Sequence, residues 1–192
     1  MPTGPDARAR VCKQHRRAGS RSVSAMAARG PTDEERRAAI EIVLRGLAHG
    51  DELSDIAARL APTHPKHDTF PGELLLDLAA DAIDLAGATR RSPIEFENIR
   101  DRYLPEGAAH TKAEHHKSTY ALRAAAMIHG AVDPALLDEV QWWQTDDVWY
   151  WSLEAFVVYA RVAADRTDQS VGAICRRIAA DRGVNLAGDC SA

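Results

Sequence analysis

The chain predicts an all-α protein of about eight helices. Three observations carry that expectation. Apolar residues recur at three- and four-residue spacing through most of residues 33–182. Those stripes are punctuated by capping boxes, helix-closing glycines and prolines. One stretch, from Asp133 to Asp165, holds all four tryptophans (Trp142, Trp143, Trp149, Trp151) and is almost continuously apolar from Val148 to Ala164.

Taken in order, Thr32 and Glu35 form a capping box for a first helix that buries Ile40, Val43, Leu44 and Leu47, and Gly50 closes it. A short second helix, 51–60, turns Leu53, Ile56, Ala57 and Leu60 inward and stops at Pro62. The third, 72–86, packs Leu75, Leu78, Ala79, Ala82 and Leu85. Ser92 and Glu95, with Pro93 at the first helical position, open a fourth that buries Phe96, Ile99 and Tyr103 before Pro105. The fifth, from about 108 to 128, is expected to turn Ala113, His116, Tyr120, Met127 and Ile128 to the core. Asp133 and Pro134 open a sixth, broken at Thr145.

The seventh helix is apolar on two nearly opposite sides, Trp149–Leu153–Phe156–Ala160 and Trp151–Ala155–Val158–Val162. Such a helix must be covered on both, so it is expected to be the central pillar. Its narrow polar face is expected to be Asp147, Tyr150, Glu154, Arg161 and Asp165. The eighth, 168–182, buries Val171, Ile174, Cys175 and Ile178.

Longer helices start near 33, 72, 108 and 146, each followed by a shorter one. That period suits four stacked helical hairpins, an α-solenoid similar in outline to HEAT-type repeats. A compact irregular bundle is the other arrangement compatible with the same helices.

Residues 1–30 lack apolar periodicity and carry seven Lys and Arg against Asp6, a net of +6; with −4 overall, residues 31–192 hold −10. The tail, 1–30, is expected to be disordered, as is 184–192, leaving 31–183 as the helical domain. Met26 stands just before the first capping signal and offers an alternative start. An acidic body repels a phosphate backbone, so nucleic acid is expected to bind only through the basic tail. No segment reaches the roughly 18 uncharged apolar residues a membrane span needs. The three cysteines are scattered without metal-type spacing, which suggests a reducing, cytoplasmic setting.

Two sets of residues are candidates for function. If the hairpins stack, loops entering the long helices share one edge, which gathers His64, His67, Asp68, His110 and Glu114. His110 and Glu114 are one turn apart, and imidazole with carboxylate suits a divalent metal ion that activates water. That set makes a metal-dependent hydrolase the alternative function. The leading expectation is a protein-interaction or scaffold module with no cofactor. Its partner would meet a groove near Trp142 and Trp143, or the carboxylate stripe Glu73, Asp77, Asp81 and Asp84 on the third helix. A homo-oligomer is compatible with the sequence, which does not fix the oligomeric state.

Three short matches complete the survey. His67–Asp68 resembles the dyad of HD-type phosphohydrolases over two residues, but follows THPK where that family has an apolar helix. The stripe on the third helix is similar to those of all-α pyrophosphohydrolases, which need a second acidic helix facing it. Arg123 and His129 fit the loose spacing of HEPN-type ribonucleases, as do Arg10–His15 and Arg59–His64.

Overall fold

The structure is a computed structural model that describes residues 31–61, 70–87, 96–104, 111–130 and 148–186. All of them belong to one compact unit, Pro31–Ala192. Among the described residues there are seven helices and no strand: α1 (Asp33–His49), α2 (Leu53–Leu60), α3 (Phe70–Leu85), α4 (Phe96–Tyr103), α5 (Lys112–Ile128), α6 (Val148–Thr167) and α7 (Val171–Asp181). The protein is all-α, as expected; the helix expected from Asp133 to Thr145 lies outside the described residues. No described helix is long and apolar enough to cross a membrane.

Helix starts follow from capping chemistry. Thr32 accepts the Glu35 N–H at 3.2 Å, and the Glu35 carboxylate takes the Thr32 N–H at 2.6 Å. Gly50 closes α1 at φ 80°, a left-handed conformation that costs a residue with a Cβ about 1–2 kcal/mol. Several boundaries depart from expectation by a few residues, and two of them show why. Helix α5 opens on a second capping box, Thr111 with Glu114. The last helix starts three residues later than expected, because Asp168 sits at φ 53° and ends α6 while the Ser170 hydroxyl caps α7.

The phase of α5 also differs. Ala113 and His116 are exposed and Ile128 is 49% exposed, whereas Ser118, Ala121, Leu122 and Ala124–Ala126 are buried. Alanine is short enough for close helix approach, so the packed side of α5 is its alanine side.

Helix α6 is the pillar. Every residue from Trp151 to Ala160 is buried, and the helix contacts α2, α3, α4, α5 and α7. Both predicted apolar stripes are covered. Glu154, expected on a solvated face, is instead 1% exposed. In a helix wrapped on all sides, a residue between two apolar stripes has no water to reach.

Helix directions follow from contacts along the chain. Lys117 lies over the Trp151 ring, Ser118 meets Glu154 and Leu122 meets Tyr159, so α5 and α6 run parallel. The end of α3 meets the ends of both: Arg166 Nη1 donates to the Ala86 carbonyl at 3.4 Å, and His129 Nε2 lies 3.5 Å from Asp84. Thus α3, α5 and α6 point the same way, with their carbonyl ends together. Arg166 and His129 place donors or positive charge at that end, as the helix dipoles favour. Helix α7 runs back along α1: Gly172 packs on the Ala48 backbone, while Arg182 and Arg36 both lie by Asp77. Helix α1 packs on α7 and α3 on α6, so among the described residues helices far apart in the chain lie side by side.

Two small residues set close packing here. Cys175 is fully buried on α7, and burial pushes its thiol up to about 12, so it serves as a small apolar core residue. Gly46 lets α2 approach α1; a Cβ there would stand 2.8 Å from Ile56 Cγ1. Leucine at position 46 should therefore cost about 1–3 kcal/mol in overpacking, more than the roughly 1 kcal/mol of helix propensity it adds. Urea unfolding measures the balance, and a Gly46→Leu variant as stable as its parent would mean α2 yields freely.

Candidate functional site

Of the residues expected to hold a metal, His64, His67, Asp68 and His110 lie outside the described residues. Glu114 is described, and its carboxylate is engaged locally, accepting the Thr111 N–H at 2.7 Å. Among the described residues no three His, Cys, Asp or Glu side chains lie close enough to hold a metal ion. Trp142 and Trp143 also fall outside the described residues.

The carboxylate stripe on α3 is present but is tied into the fold. Arg182, just past α7, donates from Nε to Asp81 at 2.7 Å and from Nη2 to the Asp77 carbonyl at 3.4 Å. Hydrogen bonding to Asp81 raises the Arg182 pKa further. Asp84 has His129 beside it, and Glu73 stands exposed. Asp77 is half-buried. Burial raises its carboxyl above the ordinary 3.8, against the pull of Arg182, with the charge of Asp81 adding to the rise.

The sign of the consequence is fixed by linkage. A carboxyl raised on folding binds its proton more tightly in the folded state, so stability falls as pH rises through its native pKa. Asp77→Asn should raise the melting temperature at about pH 7, with the gain shrinking as pH falls through the raised native pKa and lost below the ordinary 3.8, where the parent carboxyl is protonated in both states. Thermal melts across that range test it, and a loss of stability at neutral pH would show that Arg182 outweighs burial.

A second polar cluster joins α5 to α6. The Ser118 hydroxyl, itself buried, donates to the buried Glu154 carboxyl. Tyr150 lies one turn before Glu154; burial, then the charges of Glu154 and Glu114, raise its phenol above 10. One turn further along, Tyr159 donates to the Leu122 carbonyl at 2.8 Å inside the core. Trp149, Tyr150 and Trp151 meet edge to face along the start of α6. The sequence carried a sign of this. Glu154 is flanked at one-turn spacing by Tyr150 and Val158, with no basic residue within one turn of it on its own helix.

The third feature was not anticipated. A groove of about 370 Å³ runs between α1 and α2, lined by Ala38, Glu41, Ile42, Arg45, Gly46, His49, Asp51 and Arg59. Its charges are paired within the chain: Arg45 with Glu41 at 2.7 Å, one turn apart on α1, and Arg59 with Asp51 across the α1–α2 corner. Ala38 and Ile42 supply the apolar part of the lining, and Gly46 leaves room for the Arg59 guanidinium on its far wall. The signal in the sequence was the pair Ala38–Ile42, one turn apart on the side of α1 away from Val43 and Leu47. Compared with protein-family models, curated proteins and solved structures, the chain matches none.

Proposed function

We propose that this domain is a protein-interaction module that seats a partner segment in the α1–α2 groove. One observation supports the reading above others: the groove's four formally charged side chains, Glu41, Arg45, Asp51 and Arg59, are paired two by two within the chain, beside an apolar Ala38–Ile42 strip. A surface of that kind offers area to bury and a polar rim, the ordinary layout of an interface. The net charge of −10 on residues 31–192 favours a protein over a nucleic-acid partner.

Selection of displayed peptides against the purified chain tests the reading. Peptides that bind the groove should lose at least tenfold in affinity, about 1.4 kcal/mol, when Ile42 becomes arginine. They should bind unchanged when Glu73, on the exposed part of the α3 stripe, becomes lysine. Failure to enrich any binder, or binders indifferent to Ile42→Arg, would remove the groove as the interaction surface.

A further inference from the structure

We infer that the segment this groove accepts is α1–α2 of a second copy of the chain, which makes the module a two-fold homodimer; the inference rests on the interaction reading above.

The argument begins with α1. Its core side is Ile40, Val43, Leu44 and Leu47. On the opposite side Ala38, Ile42, Arg45 and His49 follow one another at spacings of four, three and four, the repeat of a seam between two packed helices. All four residues line the groove, and Ala38, exposed on α1, is small enough to let another backbone come close.

Charge selects the occupant. The rim holds Glu41 and Asp51 against Arg45 and Arg59. A basic segment meets Arg45 and Arg59, and an acidic one meets Glu41 and Asp51, so either is opposed over half its length. A copy of the same surface carries the same balanced set, and a two-fold axis inverts its order. With two α1 helices crossing antiparallel near Val43–Leu44, Glu41 of each copy comes opposite Arg45 of the other. The pair that now closes within one helix at 2.7 Å then re-forms between copies, so neither charge is left alone.

Sedimentation of the full chain from micromolar to near-millimolar concentration is the test. The expected result is a monomer–dimer equilibrium. Ile42→Arg should abolish it, and Glu41→Arg and Arg45→Glu should each weaken it at least tenfold. Mixing those two single variants should restore dimers, because in the mixed pair both cross-contacts join opposite charges. Effects confined to one helix cannot restore pairing on mixing, and circular dichroism of each variant confirms folding. A parent chain that sediments as a monomer throughout, or a dimer that Ile42→Arg leaves intact, overturns the inference. A monomer whose selected peptides still depend on Ile42 would overturn self-pairing alone and leave the interaction reading standing.

Discussion

Replacing Phe156 by alanine should lower the unfolding free energy by about 3–5 kcal/mol. Phe156 has no exposed surface and sits midway along α6, where every neighbour from Trp151 to Ala160 is also buried. The loss has two parts: the transfer free energy of the ring, and a cavity the surrounding helices fill only partly. Domains of ordinary stability have about 5–15 kcal/mol to lose, so this one substitution removes a large fraction. For a domain of this length the melting temperature should drop by about 10 °C. Urea unfolding of the variant measures the cost, with Trp149→Ala as an internal comparison. Trp149 is half-buried, so its truncation should cost less. A Phe156→Ala cost below about 1 kcal/mol would mean that α6 is not wrapped as described.

The second large effect belongs to the polar contact inside that same wall. Ser118→Ala should cost about 1–3 kcal/mol, because it removes a hydroxyl donor from the Glu154 carboxyl without removing the carboxyl. The double change Ser118→Ala with Glu154→Leu should recover much of that loss, since the carboxyl that lost its donor is then itself gone. The four proteins of the cycle, each unfolded in urea, isolate the coupling between the two positions. Additive losses would show that the hydroxyl and the carboxyl act independently.

Much of the fold could be read before any coordinates. The repeating Ile40–Val43–Leu44–Leu47 and Leu75–Leu78–Ala79–Ala82 patterns have one side that water cannot occupy, and those residues are the buried ones. The double stripe on α6 called for neighbours on both sides, and it has them. Capping residues marked the start of α1 because they satisfy backbone N–H groups locally, which a sequence displays directly. Errors arose where the deciding partner is distant in sequence. The inward side of α5 is set by how closely alanines let α6 approach, and a periodicity count favours bulky residues instead. Glu154 looked like a surface carboxylate until Ser118, thirty-six residues earlier, was brought beside it. The candidate stripe on α3 was legible as four acids but not as partners of Arg182 and His129, which come from elsewhere in the chain. The groove was the least visible feature. A concavity is a property of two helices and the angle between them, and neither α1 nor α2 alone encodes it.

The common direction of α3, α5 and α6 also governs how the chain can assemble. Two helices that point the same way cannot be joined by a tight turn; the backbone must travel the length of one, about 24 Å for the 16 residues of α3, before the next begins. The Arg166–Ala86 contact accordingly closes a span of 80 residues, and Arg182–Asp81 one of 101. Loop entropy must be surrendered before such contacts form. Acquisition of the native state is therefore slower than in an up-and-down helical bundle of equal size, whose neighbours lie close along the chain.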